Sequence, residues 1–155
     1  MISIIPYSDR YKSQVIDLLL EIWEREFGYK NIERPDIYNI PETYQKDPKS
    51  NFWLALEDEK VVGTIALQNE GENIGYIRRL AVVKNMRKQG VGKQLLETLM
   101  EYAKEHSYKK IYVGIAAENT GARHFYKKND FRENAIIPQK VIDLGDSFCL
   151  TIDIQ

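Results

Sequence analysis

Apolar residues along this chain switch between a spacing of two and a spacing of three to four, and that switching predicts a mixed α/β fold. Residues 1–5 read as a short strand that Pro6 ends. Ser8 or Asp9 is placed to cap a helix, along which Tyr11, Val15, Leu18, Leu19, Ile22 and Trp23 keep helical spacing. Gly28 marks its stop. Residues 29–50 are polar and aromatic with three prolines, and predict a second short helix among loops.

A hairpin follows. Residues 52–56 are apolar, Asp58, Glu59 and Lys60 make a turn, and residues 61–67 are apolar and rich in β-branched side chains. After a turn at 69–73, residues 74–83 read as a longer strand. Val91, Leu95, Leu99 and Ala103 then recur every four residues and predict a helix over 90–106. A strand at 111–115 and a helix at 119–128 come next, with Ala122, Phe125 and Tyr126 inward and Phe125 the core member of the aromatic pair. Residues 131–136 and 147–154 predict two closing strands. The order is strand, helices, three strands, helix, strand, helix, two strands. It gives an α/β fold, an α+β mixed sheet of about six to seven strands with helices on both faces, as one domain over 1–155.

Composition narrows the partners. A chain of 155 residues suits one core. Its 22 basic and 23 acidic residues leave a net charge of -1, which gives no support to a general nucleic-acid binder. One cysteine, Cys149, excludes an intrachain disulfide and reads as a small buried strand residue. With only two histidines, the usual His/Cys metal site is not available, so no metal is expected. No apolar run is long enough to span a membrane, and the first residues lack the apolar core of a signal peptide. No membrane partner and a cytoplasmic location are the expectations.

The most informative stretch runs from Leu80 to Lys93. A strand ends, a basic loop follows, and a helix begins at Gly90 and Gly92. The first turn of a helix offers unpaired N–H groups and a partial positive charge. Glycine lets a ligand approach that backbone, and Arg87, Lys88 and Lys93 add full charges, so the loop suits a phosphorylated cofactor. A P-loop would need Ser or Thr after the lysine, where Gln94 stands. A dinucleotide fingerprint would need a third glycine, where Leu95 stands. A helix start that uses glycine merely to turn is the plain alternative.

Arg87-x-x-Gly90-x-Gly92 after that strand resembles motif A of the GNAT superfamily of acetyltransferases. The stretch from Asn119 through Tyr126 to Phe131 resembles its motif B, with Asp130 standing where the family usually has glycine. The resemblance covers essentially the whole chain. It implies an acyl-CoA-dependent N-acetyltransferase that moves the acetyl group of acetyl-CoA to a primary amine of a small molecule or peptide by direct attack. The alternative is a non-catalytic acyl-CoA-binding or sensor module on the same fold.

The resemblance also assigns roles. The pantetheine arm would lie between strands 74–83 and 111–115, pairing with main-chain groups of Leu80 and Val82. The pyrophosphate would sit on Arg87 and the amides of Lys88, Gln89, Gly90, Val91, Gly92 and Lys93. Asn119 would bond the cofactor or a water, the Val82 N–H would polarise the carbonyl, and Tyr126 would touch the cofactor and protonate the departing sulfur. Core packing for Tyr126 and a plain helix cap for Asn119 are the other readings. The base is open: Glu24, Glu26, Glu70 and Glu72 are candidates, each also readable as a solvated charge. Tyr76 and Arg78 share a strand face toward the acceptor, with Arg79 on the other face. Arg78 would bind an acceptor carboxylate or form a structural ion pair. Tyr29, with Phe27, Tyr38 and Tyr44, would line the acceptor region, which includes the link before the last strand. Relatives often pair through the last strands, so a homodimer is a further expectation.

Overall fold

Seven strands make one mixed sheet in the order β1-β2-β3-β4-β5-β7-β6 in the computed structural model, which describes residues 1–29, 34–134 and 136–155. The strands are β1 (Ile2–Pro6), β2 (Asn51–Glu57), β3 (Lys60–Asn69), β4 (Ile74–Val82), β5 (Lys110–Ile115), β6 (Arg132–Glu133) and β7 (Phe148–Asp153). The helices are α1 (Lys12–Glu21), α2 (Val91–Glu105), α3 (Thr120–Lys128) and α4 (Gln139–Asp143). The predicted order of elements holds, with α4 added.

Strand β2 shows why the sheet is covered twice. Trp53 and Ala55 join one cluster, with Val91, Leu95, Leu99 and Ala103 of α2. Phe52, Leu54 and Leu56 join another, with Val15, Leu18 and Leu19 of α1 and with Ile37, Ile40 and Tyr44. Alternate side chains of a strand point to opposite faces, so a strand apolar at both parities needs a layer on each side. The four-residue spacing of α2 places its apolar stripe on the first face. Truncating a buried leucine of that stripe, Leu95 or Leu99, would cost about 2–5 kcal/mol.

The pairing of β4 with β5 positions the site. These strands run parallel, but only Ile74–Ile77 of β4 meets β5, as far as Val113. Beyond that point β4 continues to Val82 beside β3 alone, while β5 continues to Ile115 beside β7. The two central strands part, and a gap opens between them.

A second irregularity lies on β4. Arg78 pairs with Ala66 and Ala81 with Thr64, so Arg79 and Leu80 together oppose Ile65. Arg79 takes φ 57°, and its carbonyl accepts the Thr64 hydroxyl at 2.7 Å. This β-bulge resets the alternation of the strand. Strict parity puts Arg78 and Arg79 on opposite faces. With the bulge, both lie on the side of Asp36, Arg79 at 2.6 Å and Arg78 at 4.0 Å.

Three further expectations change. The strand at 131–136 shrinks to Arg132 and Glu133, and the chain then turns into α4, whose N-cap is Pro138. Proline has no N–H for a ladder, and its fixed φ suits a helix start. In α3, Tyr126 is the buried aromatic at 2% exposure, and Phe125 is only partly covered. The short helix expected within 29–50 becomes two single turns, Pro35–Tyr38 and Pro41–Gln45, each opening on proline. Residues 30–33 of that stretch lie outside the described residues. Asp130 ends α3 at φ 74°, a left-handed position that favours glycine and that Asp tolerates. Cys149 is buried in β7.

Candidate active site

A cavity of about 270 Å³ fills the gap where β4 and β5 part. Tyr76 to Leu80 of β4 form one wall and Val113 to Ala116, at the end of β5, the other. Asn119, Ala122 and Tyr126 approach from α3, and Trp23, Arg34, Leu144 and Asp146 complete the lining.

Tyr126 carries the clearest chemical signal. Its hydroxyl is buried with no hydrogen-bond partner among the described residues. A buried hydroxyl without a partner costs free energy, and in native structures it asks for an explanation. Burial, with Tyr76 nearby, pushes its pKa well above that of a free phenol, so the group keeps its proton. Tyr126 lines the cavity, and its hydroxyl is a buried donor that finds no acceptor among the described residues. Asn119 caps α3 by accepting the Ala122 N–H at 3.1 Å, and it lines the same cavity.

Three arginines, Arg34, Arg78 and Arg79, line the cavity. Asp36 accepts Arg79 through Nε at 2.8 Å and Nη2 at 2.6 Å, and the Tyr44 hydroxyl at 2.7 Å. Burial alone would push the Asp36 carboxyl up, and the Arg79 guanidinium outweighs it, helped by Arg78 and Tyr44, so the carboxyl stays ionised. Arg78 reaches the same carboxylate only at 4.0 Å. Arg34 lies over the Trp23 ring, 4.0 Å from its centroid. Burial and the charge of Arg79 lower its pKa. Asp36 is thus committed to Arg79, and it leaves Arg78 and Arg34 facing the cavity.

The glycine loop follows Val82. Gly90 is the N-cap of α2 at φ 85° and brings no capping side chain, so the amides of Val91, Gly92 and Lys93 start the helix uncapped. Lys88 also takes a left-handed φ, 63°. Arg87 turns back from the loop. Its Nε donates to the Val82 carbonyl at 2.9 Å, and its two terminal nitrogens donate to the two carboxylate oxygens of Glu26 at 2.7 Å.

The acetyltransferase (GNAT) family model matches residues 15–131. The chain belongs to this family. It is 32% identical over 110 residues to N-acetylaspartate synthetase of Xenopus tropicalis, covering 70% of this chain and 41% of that protein. The chain therefore spans about two fifths of the length of that curated relative. A GNAT acetyltransferase from Staphylococcus aureus Mu50 superposes with a TM-score of 0.90 at 30% identity, over 100% of both chains. The PaiA N-acetyltransferase of Thermoplasma acidophilum, solved in complex with coenzyme A, shares the fold with a TM-score of 0.76 at 20% identity, over 99% of each chain.

Within this GNAT fold, Tyr76, Arg78, Leu80, Asn119 and Tyr126 come together around one cavity. Val82 lies just past it. The Val83 N–H bonds the Val62 carbonyl at 2.9 Å, so by alternation Val82 turns its main-chain groups to the gap side. Tyr76 is buried and stacks on Tyr112 with centroids 4.7 Å apart. Tyr29 is outside the lining and donates its hydroxyl to Glu118. Tyr44 is a core residue, Tyr38 is exposed, and Phe27 stacks on Tyr29. None of the four glutamates considered as bases lines the cavity. Glu26 holds Arg87, Glu70 holds Lys140 and the Tyr112 hydroxyl, and Glu24 and Glu72 are exposed. The carboxylate that does line it is Asp146, which the sequence reading passed over within the link before the last strand. Its approach to β5 is a long-range contact with no local signature.

Proposed function

We propose that the protein transfers the acetyl group of acetyl-CoA to the primary amine of a small molecule that also carries a carboxylate. The carrying observation is the buried Tyr126 hydroxyl, without a partner among the described residues, on a residue that lines the parting of β4 and β5. The thioester supplies an activated acetyl carbon and a thiol leaving group. In this reading the first-turn amides of α2, with Arg87, Lys88, Gln89 and Lys93, hold the pyrophosphate, as helix starts do for anions. Leu80 and Val82 offer main-chain groups to the pantetheine arm, and the Val82 N–H polarises the carbonyl where negative charge develops. Tyr126 gives its proton to the departing sulfur, and Asn119 holds a water or the cofactor beside it.

The carboxylate on the acceptor follows from Arg78. A guanidinium matches a carboxylate at two points, and its neighbour Asp36 already serves Arg79. Tyr76 would form the wall beside it. The name of the relative, N-acetylaspartate synthetase, agrees with an acidic amino acid as acceptor.

The test is a thiol-release assay with acetyl-CoA and a panel of amines: acidic amino acids, neutral amino acids, polyamines and short peptides. Acidic amino acids should give the highest kcat/KM, and Arg78→Ala should abolish that preference. Tight acetyl-CoA binding with no amine-dependent thiol release would leave the fold as a binding module.

A further inference from the structure

We infer that Asp146 is the group that receives the acceptor ammonium and takes its proton before attack. This deepens the acetyltransferase reading above and rests on it. The sheet is built to admit this carboxylate. Gly114 lies within β5 opposite Cys149 of β7, and a Cβ placed there would meet Asp146 Oδ2 at 2.6 Å. It would meet the Tyr76 hydroxyl at 3.2 Å. Only glycine leaves that space, so the carboxylate occupies a slot in the strand and reaches the wall of the cavity. Val141 of α4 closes the slot from behind, 3.1 Å from the same point, and the Asp146 N–H bonds the Val141 carbonyl.

The carboxylate has no hydrogen bond or ion pair to any side chain among the described residues, although it lines a cavity with three arginines. Arg78 and Arg79 belong to β4, and Asp36 holds Arg79 there. An acceptor with its carboxylate on Arg78 and its ammonium on Asp146 would span the cavity with opposite charges at both ends. The groups facing Asp146 are Tyr76, Arg78 and Arg79 of β4, Glu118 of the β5–α3 link and the Tyr29 hydroxyl bonded to it. Burial pushes the Asp146 carboxyl up to about 6, Glu118 adds to this, and Arg78 and Arg79 oppose it. A base of that strength is ionised at pH 7 and far closer to an amine than an ordinary carboxylate is.

The step balances. The ammonium gives one proton to Asp146, and the freed nitrogen pair forms a bond to the acetyl carbonyl carbon. The carbon–sulfur bond breaks, and sulfur keeps that pair and takes the Tyr126 proton. The nitrogen sheds its second proton, which restores Tyr126 through solvent, and Asp146 releases its own. One amide, one thiol and one free proton result.

The experiment compares wild type, Asp146→Asn and Asp146→Ala over pH 5 to 9, with acetyl-CoA and the best acceptor of the panel. For Asp146→Asn, kcat should fall about 10²–10⁴-fold, the range of a lost acid–base group, with acetyl-CoA affinity unchanged by calorimetry. Wild-type kcat should fall below pH 6, and that limb should vanish in Asp146→Asn. Added formate should restore part of the Asp146→Ala rate. A wild type that releases no thiol with any amine sinks the acetyltransferase reading and this inference with it. An active wild type beside an Asp146→Asn enzyme that keeps kcat, or changes only the KM of the acceptor, overturns the assignment of Asp146 alone. Absence of formate rescue in a folded, acetyl-CoA-binding Asp146→Ala enzyme does the same.

Discussion

Arg87 and Glu26 close a two-point ion pair, each guanidinium terminus 2.7 Å from its own carboxylate oxygen. The pair ties the glycine loop to the helical turn that extends α1. It also occupies the arginine that motif A assigns to the pyrophosphate. If the phosphate is to take Arg87, Glu26 must let go. Exchange of one anion for another is cheap here, because half-exposed pairs contribute about 1 kcal/mol or less. Glu26→Gln should therefore tighten acetyl-CoA binding by about twofold to fivefold, the equivalent of that energy. Calorimetry in low salt reads it directly. Weaker binding in the variant would mean that Glu26 holds Arg87 in its working position.

The neighbouring glycines separate phosphate contact from packing. A Cβ on Gly92 would lie 3.4 Å from the Phe125 ring, an approach that a small shift absorbs, whereas Gly90 is fixed by its φ of 85°. Gly92→Ala should change acetyl-CoA affinity little. Gly92→Glu should weaken it by well over tenfold, since about 1.4 kcal/mol per decade is small beside several lost charge-assisted bonds. Both variants should melt within a few degrees of wild type. A Glu variant that binds like wild type would move the pyrophosphate away from this helix start.

Periodicity carried most of the fold into the sequence. Four-residue spacing located α2 and two-residue spacing the strands, because both report a local geometry. Motif A was legible for the same reason, as a strand, a turn and a helix start within fourteen residues. What was not legible came from tertiary pairing. The bulge at Arg79 exists because β3 and β4 differ by one residue between two paired segments, and no local pattern announces that. The roles of Phe125 and Tyr126 exchanged because helical spacing puts adjacent residues about 100° apart, and either can face inward. Asp146 has its place because Gly114, more than thirty positions earlier, leaves room for it, and no local pattern links the two.

Asp146 also leaves a mark on stability. Its carboxyl sits near pH 6 in the folded protein, above the value of 3.8 for a free aspartate. The folded state binds more protons than the unfolded state between those values, so the charged carboxylate opposes folding. That penalty is absent below pH 4, grows through the window and is complete above pH 6. Asp146→Asn should raise Tm at pH 8 and change it little at pH 4. Calorimetric or dichroism melts at the two pH values check this, and equal effects at both would show that the carboxylate is not held in the slot.

Tyr126→Phe separates chemistry from packing. The ring packs against Phe125 and Phe131 with centroids 5.2 and 5.1 Å away, and phenylalanine keeps those contacts. The hydroxyl has no partner to lose among the described residues. Removing a buried, unsatisfied polar atom relieves its desolvation cost, so the variant should be as stable as wild type or slightly more so. A structural tyrosine would behave in the opposite way. Turnover should fall by about 10²-fold, the low end for general acid catalysis, since a thiol of pKa near 8.5 already leaves tolerably. The acceptor KM and acetyl-CoA affinity should hold. Because burial lifts the Tyr126 pKa beyond an assay range, its titration should not limit the rate at alkaline pH in either enzyme. Phe125→Leu is the control: it loses packing against α2 and should cost stability, while the folded fraction keeps its rate. A Tyr126→Phe enzyme with full turnover, under saturating acceptor and with acetyl transfer shown to limit the rate, would assign the proton to solvent. The cavity hydroxyl would then be a cofactor contact only.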